Sequence, residues 1–168
     1  MLISRFTDLS LRVLMYLTYT DRDTLVTVNE LSERLHWSRN HMGRIVYFMS
    51  TKGWVETHRG RFGGITLKHK PSEYRIGDLV QILEEQGDLI DCFEPSECTF
   101  AGRCRIRDLM REAACDFFAR LNTATLETLT QDDDVRQAIA ELNKPSAVAS
   151  KPSGNSLIRQ MQERLHKS

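Results

Sequence analysis

Residues 27–67 read TVNELSERLHWSRNHMGRIVYFMSTKGWVETHRGRFGGITL, and this stretch decides the fold. Thr27-Val-Asn-Glu30 is a capping box. The Thr hydroxyl and the Glu carboxylate each satisfy an orphan backbone N–H, so a short helix starts here and runs to about Leu35. His36-Trp37 makes a tight turn and Ser38 caps the next helix. In that helix Met42, Ile45, Val46 and Met49 recur at i, i+3, i+4 and i+7, the spacing of one buried face. Gly53 stands in the C′ position that ends it. A strand over 54–58, the turn Arg59-Gly-Arg-Phe-Gly-Gly64 and a second strand over 65–67 follow, with glycines that permit positive φ in the turn. Upstream, a helix is expected over 8–20, with Thr7 as N-cap and Leu9, Leu11, Val13, Leu14, Leu17 and Tyr19 forming a broad apolar stripe. Three helices and a hairpin make a mainly α, winged helix-turn-helix fold, in which the third helix enters the major groove.

Residues 1–70 are therefore expected to form a DNA-binding domain. Residues 71–143 form a second part, entered through a linker at Pro71-Ser72. It comprises a helix at about 77–86, a cysteine loop over 87–104, a long helix over 105–122, a short helix near 124–130 and another ending near Asn143. Asp132-Asp-Asp134 suits the acidic first turn of that last helix. The long helix carries Ile106, Leu109, Met110, Ala113, Ala114, Phe117, Phe118 and Leu121. So wide an apolar face predicts packing on the same helix of a second chain, with packing inside the monomer as the plain alternative. Residues 144–168 read as a flexible tail.

Hydrophobic content of 40% and charged content of 27% fit a globular protein. No apolar run reaches the ~18 residues of a membrane span. The N-terminus lacks a signal-peptide layout, so a cytoplasmic protein with no membrane partner is expected. In that compartment four cysteines serve as ligands or free thiols rather than disulfides.

The net charge of zero hides an asymmetry. Residues 1–70 hold 11 Lys+Arg against 6 Asp+Glu, and residues 71–168 hold 12 against 17. Between 34 and 70 only Glu56 opposes eight basic residues. A basic patch confined to one segment is the footprint of a phosphate-binding face, although any one of these residues alone reads as a solvated charge. The outward face of the third helix offers Arg39, Asn40, Gly43, Arg44 and Tyr47, with His41 alongside. Arg reads guanine and Asn reads adenine by paired hydrogen bonds, and Ser38 at the helix start can meet a phosphate. Arg59 and Arg61 flank the hairpin tip, suited to the minor groove or its phosphates.

The cysteine loop reads Cys92-Phe-Glu-Pro-Ser-Glu-Cys98-Thr-Phe-Ala-Gly-Arg-Cys104, with five residues between neighbours. Gathered thiolates are soft donors that select zinc, copper(I) or an iron–sulfur cluster. Structural zinc sites space a ligand pair by about two to four residues. Wider gaps suit a larger object, in which each cysteine reaches a different iron. The plain alternative is a loop of inert or crosslinked cysteines. A four-iron cluster needs a fourth ligand. Cys115 reads as a small buried hydrophobe in the long helix, and no histidine lies near the loop. That leaves a carboxylate, either local (Asp91, Glu94, Glu97, Asp108) or from elsewhere.

Several segments together carry a resemblance. They are 6–14, Ser38-Arg-Asn-His-Met42, 59–67, Tyr74-Arg-Ile-Gly-Asp-Leu-Val80 and the three cysteines, spanning roughly residues 1–130. The chain resembles the winged-helix iron–sulfur regulators of the NsrR/IscR type, and among them the nitric-oxide-sensing NsrR repressors. The resemblance implies a homodimer holding a 4Fe–4S cluster through Cys92, Cys98 and Cys104, with an N-terminal Asp of the partner chain, here Asp8, as fourth ligand. The IscR type implies a 2Fe–2S cluster and a His three residues past the last Cys. Arg107 stands there instead, which argues against it. The tail beyond about 143 departs from the family's usual ending. Read from residues alone, Asp8 complements the helix dipole and pairs with Arg12 one turn on.

The function expected is that of a transcriptional repressor, not an enzyme. Its hold on a two-fold symmetric double-stranded DNA operator would be released when nitric oxide attacks the cluster and breaks the Asp8 link. Two rivals are a related regulator sensing cluster supply or redox state, and a zinc-stabilised DNA-binding module without sensing. A redox enzyme is disfavoured by the lack of a dinucleotide or nucleophile motif.

Overall fold

The computed structural model describes residues 3–20, 22, 24–84 and 104–144. It begins with α1 (Arg5–Leu17), α2 (Val28–Arg34) and α3 (Arg39–Thr51), followed by the antiparallel pair β1 (Val55–His58) and β2 (Gly64–Leu67). A single 3-10 turn, Pro71–Glu73, then leads to α4 (Ile76–Leu83), α5 (Arg105–Leu121), α6 (Leu126–Thr130) and α7 (Asp133–Asn143). This is the expected winged helix-turn-helix followed by helices. Among the described residues no helix is long and apolar enough to cross a membrane.

The first helix starts three residues earlier than its apolar stripe suggested. Ser4, not Thr7, is the N-cap: its Oγ accepts the Thr7 N–H at 3.1 Å. Thr7 lies inside the helix and is fully buried. Leu9, Val13, Leu14 and Leu17 are buried as expected, and so is Tyr16. Thr27 caps α2 through the Glu30 N–H at 3.2 Å. The Glu30 carboxylate, expected to complete the capping box, turns inward instead. It accepts from the Tyr16 hydroxyl at 2.6 Å and pairs with the Arg22 guanidinium at 2.8 Å. Burial first, and the Glu30 carboxylate next, push the Tyr16 hydroxyl up to about 12.

The turn after α2 puts His36 at φ 56°. It is closed by the Trp37 N–H on the Ser32 carbonyl and by the Ser32 hydroxyl on the Trp37 carbonyl. Ser38 then caps α3 through the His41 N–H. Met42, Ile45, Val46 and Met49 are all buried, which confirms the helical spacing. Gly53 takes φ +73° just past the end of α3. In the hairpin Val55 faces Leu67 and His58 faces Gly64, so Val55, Ile65 and Leu67 point into the core.

The later helices share that core rather than building one of their own. Tyr74, Ile76, Leu79, Val80 and Leu126 cluster with Leu9, Leu14, Ile45 and Trp54. Tyr74 joins the halves: its hydroxyl donates to the Trp54 carbonyl at 2.6 Å and accepts the His69 N–H at 3.0 Å. At the far end the Arg22 guanidinium reaches Asn143 at 2.6 Å, drawing the end of α7 onto the segment between α1 and α2. Asp132 caps α7 through the N–H groups of Asp134 and Val135, so the acidic turn lies where the sequence put it.

Helices α4 and α5 approach each other closely at Gly77. A Cβ at Gly77 would lie 2.3 Å from the Phe118 carbonyl oxygen and 2.6 Å from Asn122 Oδ1. Asn122 seals the contact, accepting the Asp78 N–H at 2.9 Å and donating to the Asp78 carboxylate at 2.6 Å. Gly77→Ala should therefore destabilise the chain by about 1–3 kcal/mol through overpacking. Gly43→Ala, in α3 where a Cβ would meet nothing within 4 Å, should instead add about 1 kcal/mol. Urea midpoints of the two variants check this; equal shifts of the same sign would show that the α4–α5 approach is not tight.

Candidate nucleic-acid interface and cysteine centre

The exposed face of α3 is built by the same spacing that builds its buried face. Asn40, Gly43, Arg44 and Tyr47 recur at i, i+3, i+4 and i+7, on the side away from Met42, Ile45, Val46 and Met49. Asn40 and Arg44 are exposed, as are Ser38 and Arg39 in the cap and first turn. Tyr47 is 72% exposed, the most open of the large hydrophobic side chains described. The open space over Gly43 sits in the middle of this face. His41 differs from its neighbours. Its ring stacks against Trp37 at 5.2 Å, and its Nε2 is covered without a hydrogen-bond partner. Of the residues expected at this face, Ser38, Arg39, Asn40 and Arg44 are open to a partner, whereas His41 is half-buried against Trp37.

In the wing, Arg59 and Arg61 are both exposed. Gly60 takes φ +109° and its carbonyl accepts the Gly63 N–H at 3.0 Å. A side chain at Gly63 would run into the His58 carbonyl at 2.2 Å, so the tip needs glycine at both ends. The Arg61 guanidinium lies over the Phe62 ring, 5.7 Å from its centroid, and Phe62 is 54% exposed. Phe62 drew no notice as a site residue in the sequence. Its signal would have been an aromatic side chain set among glycines and arginines.

Of the three loop cysteines, Cys92 and Cys98 lie outside the described residues. Cys104 is half-buried and is the N-cap of α5, where its sulfur accepts the Arg107 N–H at 3.5 Å. A helix N-terminus turns backbone N–H groups toward the sulfur, which suits a sulfur that carries negative charge when it binds metal. Cys115, expected to be buried at a helix interface, is exposed in the single chain. The reason is that α5 has no buried residue: Phe117, Phe118 and Leu121 touch the core, while Ile106 and Leu109 stay 67% and 64% exposed. Among the described residues no three His, Cys, Asp or Glu side chains stand close enough to hold a metal ion.

Asp8 is exposed in the first turn of α1 and paired with Arg12 at 2.9 Å, the i, i+4 partner read from the sequence. One contact near it was not legible. Glu84, the last described residue before the cysteine segment, accepts the Ser4 N–H at 2.7 Å and a hydrogen bond from the Thr7 side chain. Burial acts to raise the Glu84 carboxyl, but these hydrogen bonds outweigh it and hold the group below its usual range. The C-terminal end of α4 is thereby tied to the helix turn that carries Asp8. The pair is 80 residues apart, so no local pattern announces it.

Comparison with known proteins places these features. Residues 3–132 match the Rrf2 family model, described as an iron-dependent transcriptional regulator. The chain is 33% identical over 144 residues to the HTH-type transcriptional regulator NsrR of Halalkalibacterium halodurans, covering 84% of this chain and 99% of that protein. It is 34% identical over 134 residues to the NsrR regulator of Geobacillus kaustophilus, covering 79% and 91%. Among solved structures, IscR of T. potens shares the fold with a TM-score of 0.60 at 17% identity, covering 90% of this chain and 94% of that one.

The exposed wing cations yield a direct expectation. If Arg59 meets a phosphate, Arg59→Ala should weaken binding to every duplex and lower the slope of log affinity against log salt by about one. Titrations at several salt concentrations decide it; lost preference at one base pair with an unchanged slope would assign Arg59 to base reading.

Proposed function

The chain belongs to the Rrf2 family of iron-dependent transcriptional regulators, and we propose that it acts as a homodimeric repressor whose grip on DNA a 4Fe–4S cluster governs. It is a winged-helix transcriptional regulator and not an enzyme. In our reading it works in the cytoplasm, binds a two-fold symmetric double-stranded operator and answers to nitric oxide. The observation that carries the DNA-binding part is the α3 face, with Asn40, Arg44 and Tyr47 exposed around an empty space at Gly43. A glycine inside a helix costs about 1 kcal/mol against alanine. Close approach of a backbone or base edge is a use that justifies it.

Residues 1–70 would hold the DNA, residues 71–143 the cluster and the dimer contact, and residues 144–168 the tail. The two α3 helices of a dimer would enter successive major grooves, with Ser38 and Arg39 on phosphates and Arg59 and Arg61 along the wing. His41 would act through its stacking on Trp37, by holding the first turn of α3. The uncovered Ile106 and Leu109 would pack on the same helix of a second copy, each worth about 1.5–3 kcal/mol when fully buried.

Cys92, Cys98 and Cys104 would hold the cluster, with Asp8 of the second copy as fourth ligand. The donors fit such a group: three soft thiolates, one of them at a helix N-terminus, and an exposed carboxylate free to change partner. The cluster, when bound, supplies iron sites at which nitric oxide reacts. Asp8 would leave Arg12 to reach the cluster, and a carboxylate is a harder, weaker iron ligand than a thiolate, which suits a link meant to break. Because Asp8 sits on the helix that packs against α3, making or losing that link changes what positions the recognition helix.

Two expectations test this. Cys92→Ala, Cys98→Ala and Cys104→Ala should each abolish iron and sulfide retention in anaerobic preparations, while Cys115→Ala keeps both. Loss of iron in Cys115→Ala, with one loop cysteine dispensable, would redraw the ligand set.

Asp8→Ala should keep a cluster on three cysteines but change its anaerobic absorption spectrum and lower operator affinity. A purely helical role predicts a stability loss of about 0.3–1 kcal/mol and an unaltered spectrum. Unchanged spectrum together with unchanged affinity would remove Asp8 from the site.

A further inference from the structure

The tip of the wing is a built feature. The Gly60 carbonyl accepts the Gly63 N–H, so residues 60–63 close a four-residue turn with Arg61 and Phe62 at its centre. Among the described residues His36 is the one non-glycine with positive φ, so Arg61 and Phe62 both keep negative φ. A hydrogen-bonded turn with negative φ at both central residues is type I. Gly60 at φ +109° and the excluded Cβ at Gly63 fix its two ends. The tip therefore presents one cation and one aromatic ring from a backbone with little freedom.

The ring at that tip is not spent on the core. Phe62 is 54% exposed, although full burial of such a side chain is worth about 1.5–3 kcal/mol. Its contact is the guanidinium of Arg61, itself exposed. Arg59 precedes the turn, and Lys68 and Lys70 follow β2. An aromatic side chain at the front of a cationic hairpin faces a partner that is negative outside and flat and apolar inside. Stacked base pairs between phosphates have that chemistry. In the minor groove, cations are drawn to the negative potential of narrow A·T segments, and apolar side chains wedge between base steps and kink the duplex.

We propose that Phe62 is a wedge: the wing enters the minor groove beside the α3 site, Arg61 lies along the groove, and the Phe62 ring inserts at a base step and bends the DNA. The inference rests on the DNA-binding reading above and adds a residue that selects sequence through deformability, because steps that unstack easily are kinked at lower cost. The fixed turn matters here, since a backbone that already presents the ring at the tip loses little freedom on binding.

The test uses the full chain, purified anaerobically, and a duplex that the wild-type protein selects from a random-sequence library. Bending is read by energy transfer between labelled duplex ends, and unstacking by 2-aminopurine placed in turn at each adenine. The wild-type protein should bend the duplex by some tens of degrees and brighten 2-aminopurine at one step per half-site. Phe62→Ala should lose both signals and bind about tenfold or more weakly. Phe62→Leu, still an apolar wedge, should restore most of the bend. Because the ring is half-exposed, the thermal melt of Phe62→Ala should match wild type. A Phe62→Ala complex with wild-type bend and brightening overturns the wedge while leaving DNA binding intact. So does weaker binding with an unchanged bend, which would place the ring against the sugar backbone. Failure of the wild-type protein to select any duplex would remove the DNA-binding reading and the wedge together.

Discussion

The burial of α1 is the constraint on which the rest of the molecule depends. Leu9, Val13 and Leu14 are almost wholly covered, and the helix touches α3, β2, α4, α6 and α7. Truncating one such side chain to alanine costs about 2–5 kcal/mol. That is a large share of the ~5–15 kcal/mol that holds a domain together. Helices from both ends of the sequence thus use one helix as their apolar partner, and neither half has a core without it. The polar contacts follow the same plan. Tyr16 ties α1 to Glu30 of α2, and Ser4 and Thr7 tie its first turn to Glu84 at the end of α4. A densely packed interior transmits small displacements rather than absorbing them. A change at the first turn of α1 is therefore felt at the seat of α3.

The winged helix was legible because its signals are local. Ser38, the i, i+3, i+4, i+7 set from Met42 to Met49, Gly53 and the glycine-rich turn all act within a few residues, and each lies where its chemistry requires. The errors arose where a side chain had a distant competitor. Glu30 was read as closing a capping box, but Tyr16 and Arg22 offered it a half-buried site with two partners. Thr7 was read as a cap, but Ser4 begins the helix earlier and Thr7 is drawn into the core. At the candidate site, the basic residues were legible from charge and the cysteines from spacing. Glu84 was not, because its partners lie at the other end of the chain. His41 was read by its place beside the exposed face, whereas Trp37 takes up its ring.

Charge follows the same division of labour. The cations of 34–70 run from the end of α2 through α3 and the hairpin to just past β2, with Glu56 as their sole acidic neighbour in sequence. Asp8 and Arg12 form an exposed, charge-balanced pair of their own at the start of α1. Exposed i, i+4 pairs of this kind contribute only a few tenths of a kcal/mol. So weak a pair holds Asp8 lightly and leaves its carboxylate available to another partner at little cost in stability.

Where this chain departs from what stability alone favours, the departures fall into one pattern. Gly43 interrupts a good helix with no neighbour to demand it. Phe62 and Tyr47 stand in solvent beside arginines, and Ile106 and Leu109 stand in solvent along α5. Each forgoes stabilisation that a simple substitution would restore, and none repairs a defect in the fold. Local rules broken without a structural gain are expected at surfaces shaped for something else. Here they mark two such surfaces: the α3 face with the wing tip, and the uncovered side of α5. The first carries cations with almost no acidic residue among them, whereas along α5 Arg105, Arg107 and Arg111 alternate with Asp108, Glu112 and Asp116, so the first suits a polyanion and the second an apolar partner such as another copy of the same helix. Helix α1 packs directly on α3 and, through α4 and Gly77, meets the base of α5. A regulator needs its signal to reach both surfaces, and in this fold one buried helix packs on the elements that carry the first and is linked to the second through α4.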